Sequence, residues 1–62
     1  MMFKAGDVVQ LKSGGPLMTV TGVRYIEIGG TFISQRVWVV WFDAHDKLCS
    51  DELKSTTLEK VS

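Results

Sequence analysis

The sequence predicts a small all-β domain of five strands built around a long central hairpin. Three observations carry that expectation. Apolar residues alternate with polar ones and do not recur at helical spacing. β-branched and aromatic residues fill the runs, as a pleated, half-buried surface favours. Glycine pairs and an aspartate-rich cluster punctuate those runs at short intervals.

Residues 7–12 form the expected first strand, with Val9 and Leu11 pointing one way and Gln10 and Lys12 the other. Ser13-Gly14-Gly15-Pro16 should stop it, because glycine takes positive φ without steric cost and proline has no N–H for a ladder. Residues 17–27 form the second strand, with Met18 and Val20 on one face. Gly29-Gly30 suits a two-residue hairpin turn, and residues 32–42 return as the third strand. Asp43-Ala44-His45-Asp46 is a polar turn before a fourth strand at 47–52. One helical turn at 53–56 and a short fifth strand at 57–61 complete the chain.

The Gly29-Gly30 turn fixes a register. If Ile28 pairs with Thr31, then Ile26 faces Ile33, Arg24 faces Gln35, Val20 faces Val39 and Met18 faces Trp41. Paired residues share a face, so this side, joined by Val9 and Leu11, is the expected core. The other side holds Leu17, Val23, Tyr25, Phe32, Trp38, Val40 and Phe42, mixed with Thr19, Thr21, Ser34 and Arg36. A bulge at Gly22 would swap the faces beyond it. Residues 37–42 are apolar on both faces, a pattern usually covered on both sides. So short a chain has too few remaining residues to supply that cover. A second copy is the simplest cover; strong coiling of the strand, so that its two ends serve different walls of one barrel, is the alternative.

A chain of 62 residues is one domain, spanning 1–62. At that size folding hides only about 60% of the surface of the unfolded chain, so the core is small. Cys49 is the single cysteine and His45 the single histidine, which excludes an intrachain disulfide and a histidine-rich metal cluster. Seven basic and seven acidic residues cancel; residues 1–42 carry four basic and two acidic groups, residues 43–62 three and five. That is far from the strongly basic footprint of a dedicated nucleic-acid binder, and a near-zero net charge weakens resistance to self-association. No signal-peptide pattern and no run of the ~20 apolar residues needed for a membrane helix is present. With one free thiol, the expected compartment is the reducing cytoplasm.

The run Phe3-Lys4-Ala5-Gly6-Asp7-Val8-Val9-Gln10-Leu11-Lys12-Ser13-Gly14-Gly15-Pro16-Leu17-Met18-Thr19-Val20 resembles the opening of the YodC-like small bacterial proteins, a domain family of unknown function. That family's pattern is close to G-D-V-V-x-L-K-S-G-G-P-x-M-T-V. Trp41-Phe42-Asp43 and Thr57-Leu58-Glu59-Lys60-Val61 resemble its second signature and its close. Residues 24–36 are longer and more apolar than the family pattern, and a leucine, Leu53, stands near where the family commonly has an aromatic. The resemblance implies an SH3-like barrel in a cytoplasmic bacterial protein, with no activity assigned. Gly6-Asp7-Val8-Val9-Gln10-Leu11 is also similar to the start of KOW-type barrels of ribosomal and transcription factors, a likeness of fold and not of function.

The candidate sites follow from residue chemistry. Ser13, Gly14 and Gly15 beside Lys12 could expose backbone N–H groups to an anion, against the plainer reading of a tight turn. Asp43, His45 and Asp46 could make at best a weak exposed metal site, against a hydrophilic turn, so no metal or cofactor is expected. Cys49 and His45 could pair as nucleophile and base, but a lone strand cysteine is more often a small core residue, and no enzyme is expected. Tyr25, Phe32 and Trp38 with Arg24 and Arg36 could stack nucleic-acid bases at about 1–3 kcal/mol each. The accompanying basic groove is thin, and Glu27 sits within it. Protein contact is the better reading, since tryptophan, tyrosine and arginine are the usual interface anchors. The expected interface is Tyr25, Ile26, Phe32, Ile33, Trp38, Val40 and Phe42, with a second copy (a dimer first) or another protein as partner. A nucleic-acid contact through Lys12, Ser13, Gly14, Gly15, Arg24 and Arg36 is the alternative, and no membrane contact is expected.

Overall fold

The computed structural model describes residues 2–61; the two end residues of the expected 1–62 domain, Met1 and Ser62, lie outside it. Five strands form: β1 (Val8–Leu11), β2 (Gly14–Ile28), β3 (Thr31–Phe42), β4 (Leu48–Lys54) and β5 (Leu58–Lys60). A single 3₁₀ turn, Ser55–Thr57, separates the last two, later than expected because Leu53 still pairs with Val37. The fold is all-β, as the alternating pattern predicts. The strands make one antiparallel sheet in the order β4-β3-β2-β1-β5. β4 and β5 are its edges and do not pair with one another, so the ladder stays open and does not close the expected barrel.

The first turn is shorter than expected. Leu11 pairs with Gly14, which leaves Lys12-Ser13 as the whole loop and puts Gly14, Gly15 and Pro16 inside β2. The glycines sit at φ 108° and 102°, a backbone shape that lets β2 bend where its register with β1 shifts. Proline is tolerated in a strand at such an irregularity.

The central hairpin departs from the simple count in one stretch. Ile28 pairs with Thr31 and Val20 with Val39, as counted. Between them the pairs run Gly22 with Trp38, Val23 with Val37, Arg24 with Arg36, Tyr25 with Gln35 and Ile26 with Ser34. The offset enters through an extra residue in β2 at Thr21 and is cancelled by an extra residue in β3 at Ile33. The expected pairs Arg24 with Gln35 and Ile26 with Ile33 are therefore corrected. Val23 and Tyr25 turn to the core side, and Arg24 and Ile26 turn away from it. The tip is a tight turn with Gly29 and Gly30 at φ 58° and 80°, the handedness that matches strand twist.

Phe3, Val9, Met18, Val20, Val37, Val39 and Leu58 form the core, with Leu11, Val23, Trp41 and Leu53 packed against it. Each large apolar side chain removed from water contributes about 1.5–3 kcal/mol. The N-terminal segment crosses the sheet and closes this core at Gln35. The fully buried Gln35 amide accepts from the Phe3 N–H at 3.0 Å and donates to the Phe3 carbonyl at 2.9 Å. Asp7 fixes the same segment, accepting from the Lys4 N–H at 3.1 Å and facing the Lys60 ammonium at 3.6 Å. Gly6 and Asp7 also exchange backbone hydrogen bonds with Val20 at 2.8 and 2.9 Å.

Flanking strands cover only half of the hairpin. β1 pairs with β2 as far as Thr19, and β4 pairs with β3 as far as Arg36. Beyond those points the hairpin is a two-stranded arm. Its reach gives the molecule extents of 44 × 18 × 17 Å, consistent with roughly 50 Å for a strand of β2's length at about 3.3 Å per residue.

Candidate interaction surface

Trp38, Val40 and Phe42 lie on the side of β3 that faces away from the core. Their rungs continue into Glu52, Ser50 and Leu48 of β4 and into Gly22 and Thr19 of β2. Phe42 is 66% exposed and Trp38 38%, while Val40 is half-buried, so the chain does not enclose this surface by itself. Leu17 and Leu48 are exposed as well and extend the patch around Phe42. Trp38 stands opposite a glycine, and its Cε3 lies 4.0 Å from where a Cβ on Gly22 would sit.

Charge on this side is three cations against one carboxylate: Arg24, Arg36 and Lys54 share a rung, and Glu52 lies beside them. The Arg24 guanidinium lies 6.0 Å from the centre of the Trp38 ring, within cation–π reach. The Glu52 carboxylate meets Arg36 Nε at 3.3 Å and Arg24 at 3.7 Å. One carboxylate therefore faces both arginines of the expected nucleic-acid contact. Lys12, Ser13, Gly14 and Gly15 lie at the opposite end of β2, roughly 30 Å from Arg24 at the rise of an extended strand. No single basic groove joins the two groups. At the turn Lys12 donates its N–H to the Thr57 carbonyl at 3.0 Å, and the Gln10 amide donates to the Gly15 carbonyl at 2.8 Å.

The arm carries the second apolar group. Tyr25 and Phe32 meet edge to face at 6.2 Å between ring centres and are 51% and 47% exposed. Tyr25 shares the face of Gln35, so these rings lie on the opposite side of the sheet from Trp38. The aromatic platform expected from Tyr25, Phe32 and Trp38 together is thus divided between two faces, because the Thr21 bulge shifts Tyr25 in β2 and the Ile33 bulge shifts Phe32 in β3. Ile28 is 68% exposed at the tip, Ile33 is exposed at the β3 bulge, and Ile26 is half-buried.

The Asp43 turn turns its chemistry inward. Asp43 Oδ1 accepts from the His45 N–H at 2.8 Å and the Lys47 N–H at 3.0 Å. Those bonds, from Lys47 and then His45, hold its carboxyl below the ordinary carboxylate range. Cys49 Sγ lies 3.8 Å from Asp43 Oδ2 and 3.6 Å from the Lys47 carbonyl, and neither partner is His45. Burial, and then the Asp43 charge, push the thiol up, the reverse of what an activated nucleophile needs. Among the described residues no three His, Cys, Asp or Glu side chains gather as a metal-ligand set, and no helix is long and apolar enough to cross a membrane.

Three contributors escaped the sequence reading. Glu52 as the shared partner of the arginines and Leu48 as the neighbour of Phe42 follow from counting pairs back across the Asp43-Asp46 turn. Gln35 had no such signal, because its partner is a backbone segment distant in sequence.

The profile of the family DUF2158, described as an uncharacterized small protein, matches residues 4–58, and the chain belongs to that family. No curated protein and no solved structure matches it.

Proposed function

We propose that this chain, from a family without an assigned activity, is a non-enzymatic protein-interaction module that associates with a second copy of itself. One observation carries the reading. A chain with no net charge keeps Trp38 and Phe42 on the back of its sheet, and Tyr25, Ile28, Phe32 and Ile33 on its arm, in contact with water. Exposed apolar groups of this size, one on the back of the sheet and one on the arm, mark interaction surfaces, and nothing in the net charge opposes contact between copies. A thiol pushed up and a carboxylate engaged by its own backbone support the non-enzymatic part. We read the strand order, with a helical turn leading β5 back to β1, as an SH3-like arrangement in a YodC-like cytoplasmic protein. The nucleic-acid alternative draws less support, because Arg24 and Arg36 share Glu52 and Lys12 is remote from both.

Sedimentation at rising concentration tests the proposal. The expected result is a mass that doubles, with Trp38→Ala weakening association by about 2 kcal/mol or more while the fold persists. A mass that stays at one chain up to the highest concentration would remove self-association. Salt-sensitive RNA binding that vanishes on changing Lys12 and Arg24 would favour the alternative.

A further inference from the structure

We infer that two copies join through the arm, by antiparallel pairing of the β2 edge over residues 22–28 around a two-fold axis at Tyr25. The inference rests on the self-association reading and specifies its geometry.

The arm has two edges without a neighbouring strand, and they differ. On β3 the edge beyond β4 is interrupted by the extra residue at Ile33. On β2 the extra residue lies at Thr21, so residues 22–28 pair with β3 without a bulge of their own. Past Val20, which takes Gly6 and Asp7, no described backbone segment pairs with the other side of this stretch. It contains no proline and reads Gly-Val-Arg-Tyr-Ile-Glu-Ile, mostly β-branched and aromatic. An unpaired edge of this composition is a template for another strand, and a two-stranded ribbon alone is marginal in water.

A second copy fits this edge better than an arbitrary strand, because the edge is symmetric about its own centre. An isologous contact requires antiparallel pairing, and facing residues must share a side of the sheet. Pairing about Tyr25 uses all of residues 22–28 and sets Tyr25 against Tyr25, Arg24 against Ile26, Val23 against Glu27 and Gly22 against Ile28. No two like charges stand directly opposite. On the core-side face the half-exposed Tyr25 and Phe32 of each copy become one row of four rings across the joined ribbon. On the other face the exposed Ile28 of one copy arrives beside Gly22 of the next. The missing side chain there opens the way to the Trp38 ring, which lies against Gly22. The contact therefore covers Ile28, the most exposed apolar residue of the arm, together with the Tyr25–Phe32 ring pair and the tryptophan. Such an edge contact hides on the order of 1,000 Å², near the lower limit for specific complexes, so it should depend on concentration.

Charge exchange at the axis is the test. Tyr25→Lys and Tyr25→Glu should each sediment as monomers where the native chain is a dimer, with unchanged far-ultraviolet circular dichroism. An equal mixture of the two should recover the dimer mass, because unlike charges then meet across the axis. As a second reading, Tyr25→Cys in a Cys49→Ser background should cross-link under glutathione disulfide, since facing Cβ atoms lie about 4.5–5.5 Å apart. Ile33→Cys, on the other edge, should not. A native dimer that survives both charge variants, or that cross-links through Ile33→Cys and not Tyr25→Cys, would overturn the β2-edge contact and leave self-association standing. A native chain that never dimerises would overturn both.

Discussion

The two halves of the central hairpin have similar residue chemistry and opposite fates. In the proximal half Met18, Val20, Val37 and Val39 are buried. In the distal half Tyr25, Ile28, Phe32 and Ile33 stay in water. Both halves alternate, both are rich in β-branched and aromatic residues, and both belong to the same two strands. They differ in their neighbours. The proximal half has β1 on one flank, β4 on the other and the N-terminal segment across its face, whereas the arm has none of these. Alternation encodes which side a residue takes; burial is decided by what lies over that side.

The largest effect expected from breaking this contrast is in the body packed around the proximal half, where Leu58 of β5 joins Met18, Val20, Val37 and Val39 in the core. Leu58→Ala should lower stability by about 3 kcal/mol, as for other buried leucines, read as a fall in the urea midpoint. Gln35→Ala, at the boundary, should cost about 2 kcal/mol, because it leaves the buried Phe3 N–H and carbonyl without partners. In the arm, Phe32→Ser at dilute concentration should change global stability by about 0.5 kcal/mol or less. Arm amides should also exchange with deuterium well before those of residues 37–39. If Phe32→Ser cost as much as Leu58→Ala, the division into body and arm would be wrong. The smallest effect lies at the Asp43 turn. Backbone N–H bonds hold this carboxyl below its ordinary value, so its stabilisation is present above the ordinary carboxylate range and is lost as pH falls through the lowered value. Asp43→Ala should flatten the acid limb of the stability profile without moving the neutral plateau relative to the alkaline one.

The strands and turns were legible because alternation and glycine pairs are local signals. The core positions Val9, Met18, Val20 and Val39 followed directly from them. The faces of the arm did not, because a single extra residue at Thr21 carries no distinctive chemistry, yet it moves Tyr25 and Arg24 to opposite sides from those counted. Gly22 marked the neighbourhood of that bulge but could not say which way the pattern would turn. Of the expected interface, Trp38, Val40 and Phe42 share a face as anticipated, while Tyr25 and Phe32 belong to the other. Glu52 was unassigned because its role depends on rungs formed across a turn.

The Gln35 carboxamide has the same donor and acceptor pair as a peptide unit, and Phe3 binds it as it would a neighbouring strand. Water that loosens the hairpin from its tip therefore meets a saturated polar junction before it reaches the buried core. Fraying should halt there, so that the projecting ribbon can open, bind and reclose many times while the protein's interior stays dry.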